Sequence, residues 1–161
     1  MITPTTVSMI RDLVAIFGVI AGFSYYVLTV RNAQKTREMA LEAQKTQIFL
    51  QIYGTITPEL VDRVMNMNLW KFTDYDDFMT KYGELYGEWE SVLQRYNGMG
   101  LLAIKDQVDL DNIYKLLTLP ILGLWRNFEG IIKQRRELYD IPDLYDGIEY
   151  LYNEMMKRRE Q

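Results

Sequence analysis

The chain has 161 residues, 48% hydrophobic and 25% charged, which suits one modest globular domain rather than a disordered chain. Its net charge of −4 argues against general nucleic-acid binding, which usually needs a basic surplus. Cysteine and histidine are both absent, which excludes disulfides, thiolate or histidine metal sites and catalysis by thiols or histidines.

The first element in chain order is an apolar segment, Leu13–Val30, with eighteen residues and no charge. As a helix it spans roughly 27 Å, close to the hydrocarbon thickness of a bilayer. It lacks the polar face of a core helix, and no small-residue cleavage site follows it. We predict that residues 1–30 hold a permanent membrane anchor at 13–30, with a cleaved signal and a buried core helix as the alternatives.

Basic residues follow this segment closely. Arg31, Lys35 and Arg37 flank its C-terminal end, whereas Arg11 is the only basic side chain before it. The positive-inside rule then predicts a single-pass protein of the cell membrane, with its N-terminus outside and residues 31–161 in the cytoplasm.

The apolar segment also contains a GxxxG spacing formed by Gly18 and Gly22. Small residues one turn apart let another helix approach closely, which predicts a helix–helix contact within the membrane. Glycine is also common in membrane helices without such a contact, so this second interpretation stays open.

Residues 31–54 are rich in strong helix formers and contain no proline or glycine before Gly54. We predict that the membrane helix continues through them as a juxtamembrane stalk that ends at Gly54. Residues 55–161 then form a cytoplasmic helical domain, a compact bundle of about five helices, because no segment shows the alternation of a strand. The expected fold class is therefore all-α.

Local signals set the expected helix ends in this domain. Thr57 with Pro58 is typical of a helix start, and a short helix should run from Thr73 or Asp74 to Gly83. Glycines should weaken the next helix, and Pro120 divides or kinks the one after it. Further signals are Asp109 or Asp111 as a helix cap and Pro142 near the start of the last helix. Gly98 with Gly100 indicates either close packing or a helix break.

Four segments carry a resemblance: TQIFLQIYGTITPELVDRV, DYDDFMTKYG, KLLTLPILGLWRNFEGII and DLYDGIEYLYNEMMKRR. In pattern and order they resemble a family of uncharacterised, small, single-pass membrane-anchored helical proteins found mainly in prokaryotes, archaea included. The resemblance covers most of residues 40 to 160 and implies the anchor-plus-helices architecture. That family has no established catalytic motif, so the resemblance implies no functional residue.

Three clusters have a functional and a structural interpretation. The acidic run Asp74–Asp77 has ligands for a hard cation, but acidic residues at a helix start also favour the helix dipole. Lys133–Arg136 (KQRR) suits contact with headgroups or an acidic partner, although a solvated helix end explains it better. The third cluster consists of aromatic residues that fit either a partner-binding face or the core: Tyr82, Tyr86, Trp89 and Tyr96.

The sequence therefore predicts a non-catalytic, membrane-tethered protein-binding module, most simply an accessory or scaffolding subunit of a larger membrane-associated complex. Its expected partners are the lipid bilayer and other protein subunits, with a hetero-complex favoured and a homo-oligomer possible, and no nucleic acid. We expect no catalytic residue, no cofactor and no metal. The alternative is a membrane-anchored enzyme or small-ligand sensor that works with carboxylates and tyrosines.

Overall fold

A computed structural model describes the backbone of residues 4–160 and the side chains of residue 9 and residues 11–160. Within that range the chain is all-helical, without strands, so the predicted fold class is confirmed at this level. The elements are α1 (Pro4–Tyr53), α2 (Pro58–Met67), α3 (Tyr75–Tyr82), a 3₁₀ turn (Gly83–Leu85), α4 (Tyr86–Ile104), α5 (Leu110–Tyr139) and α6 (Asp146–Arg159).

The chain divides into two compact units, residues 1–43 and residues 44–161. The domain boundaries predicted at residues 30 and 54 stay predictions.

The first unit is the greater part of α1. Every residue from 11 to 43 is solvent-exposed, and the most apolar window of this helix, with a mean hydropathy of 2.1, is 0% buried. The helix is long and apolar enough to cross a membrane, a property that membrane spans share with signal sequences and core helices.

Local capping explains how α1 ends and α2 begins. The backbone N–H of Gly54 donates to the carbonyl oxygen of Leu50 at 2.9 Å, which closes the last turn of α1. Thr57 then caps α2, with its hydroxyl accepting from the N–H of Leu60 at 3.3 Å. The predicted helix end at Gly54 and the predicted start at Thr57 and Pro58 are both confirmed.

The core of the second unit lies mainly between α4, α5 and α6. These helices meet along buried apolar stripes with helical spacing, which is why each has one polar face. Phe49, on the last turns of α1, also joins this core, as do Val64 and Met67 of α2. The side chains of the three helices with no exposed surface are Trp89, Leu93 and Tyr96 on α4, Ile113, Ile121, Leu124, Phe128 and Ile132 on α5, and Ile148, Leu151 and Met155 on α6.

The helix breaks that the sequence left open as one alternative at Gly98 with Gly100, and at Pro120, do not occur. Helix α4 runs through Gly98 and Gly100, and α5 runs through Pro120 as one helix. Proline deletes only one N–H, and the buried residues on both sides of it, Leu117 and Ile121, hold α5 in the core. Packing of the apolar face therefore outweighs the local cost.

The last helix begins later than Pro142, at Asp146. Residues 140–145 form a turn that Arg136 holds, donating from Nε to the carbonyl oxygen of Leu144 at 2.9 Å. The same guanidinium pairs with Glu149 at 2.7 Å, so the turn is bound to both flanking helices. Tyr145, just before α6, has a φ of 64°, a left-handed conformation that bulky residues rarely adopt.

Helices α4 and α6 cross most closely at Gly100 and Gly147. A Cβ atom on Gly100 would overlap the backbone carbonyl of Gly147, and one on Gly147 would overlap the carbonyl oxygen of Asn97. The N–H of Gly147 also donates to Oδ1 of Asn97 at 2.8 Å. Gly100 thus marks close packing, one of the two interpretations that the sequence left open.

We predict that Gly100→Leu lowers the free energy of unfolding by about 3 kcal/mol, because the two backbones must separate to admit the side chain. Gly130→Leu is the matched control, since a Cβ there has no atom within 4 Å, and it should be neutral or slightly stabilising. Denaturant unfolding of the full chain in detergent, followed by tryptophan fluorescence, measures both. Equal stability of the two variants would contradict the close crossing.

Candidate functional site

An open groove with a volume of 770 Å³ lies between the last turns of α1 and one face of α4. Its exposed surface is mostly apolar, and its rim carries amides and hydroxyls. Concave apolar surfaces with a few polar groups are typical of binding sites. The groove is lined by Gln51, Ile52, Thr55, Ser91, Gln94, Arg95, Gly98, Met99 and Leu102.

Gly98 forms part of the groove floor. A Cβ atom at this position would have no other atom within 4 Å, in contrast to Gly100 two residues later. Glycine inside a helix costs roughly 0.5–1 kcal/mol relative to alanine. Packing within this chain does not explain the glycine at 98, and its effect is to leave the backbone of α4 accessible from the groove.

Arg95 is the one charged residue that lines the groove. Its Nη1 donates to the carbonyl oxygen of Thr55 at 2.8 Å, which ties the loop after α1 to α4. A guanidinium group has five N–H donors, so this bond leaves donors for a further acceptor. The groove is therefore apolar with a cationic edge.

A cluster of polar side chains lies inside the second unit, around Arg135 of α5, which is only 6% exposed. Its Nη1 donates to Oε2 of Glu90 at 2.8 Å and to the hydroxyl of Tyr145 at 3.0 Å. The Tyr145 hydroxyl donates in turn to Oε1 of Glu90. The guanidinium carbon also lies 5.3 Å from the centre of the Trp89 ring and 5.5 Å from that of Tyr86.

The electrostatics of this cluster favour a structural role. Burial opposes ionisation of Glu90, but the Tyr145 hydroxyl and the Arg135 charge outweigh it and hold the pKa of this carboxyl below its usual value. Burial raises the pKa of Tyr86 to about 12 and that of Tyr145 further. These shifts keep Glu90 ionised beside Arg135 and Tyr145 protonated as a hydrogen-bond donor.

The four aromatic residues predicted as a partner-binding face occupy two environments. Trp89 and Tyr96 have no exposed surface and belong to the core, the second interpretation that the sequence left open. Tyr82 and Tyr86 are half-buried against that core. Tyr82 stacks on Trp70, with ring centres 4.3 Å apart. In this packing only Tyr82 and Tyr86 retain surface for a partner.

The acidic residues at the start of α3 cap and stabilise that helix. Asp74 caps it by accepting from the N–H of Asp77 at 2.9 Å, and Asp77 pairs with Lys81 at 2.8 Å. The Lys81 amine and the N–H of Thr73 hold the pKa of Asp77 below its usual value. Among the described residues, no group of three acidic side chains is placed to hold a metal ion.

The remaining predicted site residues lie on α1. Gly18, Gly22, Arg31, Lys35 and Arg37 are all exposed, and a Cβ on either glycine has no atom within 4 Å. Their roles in helix contact and membrane flanking stay predictions.

The interpretation of Lys133–Arg136 as a solvated helix end is wrong for Arg135, which is buried, and for Arg136, which holds the turn before α6. Sequence reasoning also missed the groove. The only sequence signal for it was a helical glycine, Gly98.

We predict that Glu90→Gln destabilises the unit by about 2 kcal/mol, less than for a fully buried pair because Glu90 keeps part of its surface in water. Since its pKa is lower in the folded chain, the carboxylate stabilises the fold above its unfolded pKa of roughly 4.3 and loses this effect as pH falls through the folded value.

Denaturant titrations at pH values from about 6 to 3 measure the effect. The wild type should lose more stability over this range than Glu90→Gln, whereas Glu129→Gln, which removes an exposed pair with Lys133, should behave like the wild type. Parallel pH profiles for the wild type and Glu90→Gln would exclude a stabilising carboxylate at position 90.

Comparisons of the chain with models of protein families, with curated protein sequences and with solved structures found no match. The resemblance to a family of membrane-anchored helical proteins therefore stays an interpretation of the four segments that suggested it.

Proposed function

We propose that the protein is a single-pass, membrane-tethered module whose helical unit binds another protein, as an accessory or scaffolding subunit of a membrane-associated complex. The observation that carries the proposal is the exposure of every residue of 13–30, an uncharged apolar segment of α1.

Exposure on every side of the helix supports a bilayer as its environment. Phe17, Val19 and Tyr25 are each more than half exposed, and the helical spacing points them to three different sides of the helix. A single partner helix covers one face, whereas lipid covers all of them. The hydroxyl of Thr29 donates to the carbonyl oxygen of Tyr25 at 2.8 Å, which satisfies this polar group within the helix, as lipid requires.

The residues that follow support a cytoplasmic location for the helical unit. Arg31, Lys35 and Arg37 lie within two turns of the apolar segment, and basic residues are retained on the cytoplasmic side. Tyr25 and Tyr26, near the same end, suit the headgroup region.

Protein binding is the activity that the helical unit supports best. It has an open apolar groove with a cationic edge, and the half-buried Glu90 carboxylate and the Tyr145 hydroxyl are bonded within the Arg135 cluster. A partner in a hetero-complex is the favoured occupant of this surface, and self-association through Gly18 and Gly22 is compatible with it.

The membrane tether predicts that the full chain stays in the membrane pellet after alkaline carbonate extraction. Ile20→Lys with Phe23→Lys should release it, because each lysine near the centre of a span costs about 2.5–3.5 kcal/mol. Met39→Lys with Leu41→Lys, in the same helix but beyond the segment, is the matched control and should stay in the pellet.

Intact-mass measurement of the pelleted protein tests the alternative of a cleaved signal. A chain that has lost its first thirty residues, or a wild type that carbonate extracts, would contradict the permanent anchor.

The proposed topology can be tested directly because the chain has no cysteine. A Ser8→Cys variant should react with a membrane-impermeant maleimide in intact cells, whereas Glu137→Cys should react only after permeabilisation, since the bilayer shields the cytoplasm. Quantitative labelling followed by mass spectrometry measures both. The reverse pattern would place the helical unit outside the cell and overturn the orientation inferred from the basic flank.

A further inference from the structure

We infer that the groove binds one amphipathic helix of a partner protein, with a small or apolar residue of that helix against Gly98 and a carboxylate on Arg95. This inference rests on the proposed protein-binding function and names the chemistry of the partner.

The shape of the groove favours a helix as its occupant. Its walls are helical, with the half-buried Ile52 on the last turns of α1 and the half-buried Leu102 on α4. Two such walls offer a trough of apolar side chains, into which the ridge of a third helix packs. At Gly98 a Cβ atom would meet nothing within 4 Å, so an incoming helix can approach the α4 backbone there.

The positive charge of Arg95 favours a negatively charged side chain on the partner. Among the residues that the structure describes, Arg95 is the only charged one in the lining, and it bonds to the neutral Thr55 carbonyl rather than to a carboxylate. A carboxylate matches the remaining guanidinium donors in geometry and charge, whereas a lysine on the partner would be repelled. Gln51 and Gln94 on the rim can bond to polar groups of either kind, so they add no preference of sign.

The test uses the full chain in lipid nanodiscs and three labelled helical peptides of about 18 residues, some 27 Å long. The peptides share a stripe of leucine and alanine and differ only at a central position, which is Glu, Gln or Lys. Fluorescence anisotropy gives each Kd. The Glu peptide should bind about tenfold more tightly than the Lys peptide, and Arg95→Glu should invert this order.

Two further variants locate the binding site. Gly98→Leu should weaken all three peptides at least about tenfold by filling the groove, whereas Gly130→Leu, at another helical glycine with open space, should leave binding unchanged. Arg126→Glu, an exposed arginine of α5 outside the groove, controls for the change in net charge and should preserve the order of the peptides.

Three outcomes would overturn the inference: no binding of any peptide, binding that ignores the peptide charge, or binding that Gly98→Leu leaves intact. If a small apolar dye such as ANS binds and Gly98→Leu removes it while the peptides do not bind, the groove is a small-ligand site instead. None of these results contradicts the proposed membrane anchor, because carbonate extraction tests the anchor independently.

Discussion

One buried cation, Arg135, constrains the arrangement of the three main helices. It lies on α5 and bonds to Glu90 on α4 and to Tyr145 at the entrance of α6. A buried charge that loses its partner costs several kcal/mol, so the helices must keep the register in which these groups meet. The left-handed conformation of Tyr145 is held by the same bonds, at a typical cost of about 1–3 kcal/mol.

Most helix ends could be predicted from the sequence because they depend on neighbouring residues. Thr57, Asp74 and Asp109 each bond to a backbone N–H two or three positions later, and the stop at Gly54 involves only the preceding turn. The start of α6, predicted near Pro142, lies later in the chain because Arg136 holds the preceding turn through contacts up to thirteen residues away. Neighbouring residues thus determine where a helix begins and ends unless tertiary contacts override them.

The candidate site could be predicted far less well, because burial depends on which helix faces meet. Arg135 and Glu90 are 45 residues apart, and nothing in KQRR distinguishes the buried Arg135 from the exposed Lys133 and Gln134. The groove arises where the last turns of α1 pass one face of α4, and its residues come from two stretches of unremarkable polarity. Only the packed structure distinguishes Gly98, open to the groove, from Gly100, enclosed at a helix crossing.

The crossing at Gly100 and Gly147 has an evolutionary consequence. Each position faces backbone atoms of the opposite helix, so a larger residue at one cannot be accommodated by a smaller residue at the other. The two sites therefore cannot covary, and in homologous chains both should be invariant glycines. Gly87 and Gly130, where a Cβ has no neighbour within 4 Å, are under no such restriction and can drift to other residues without disturbing the fold.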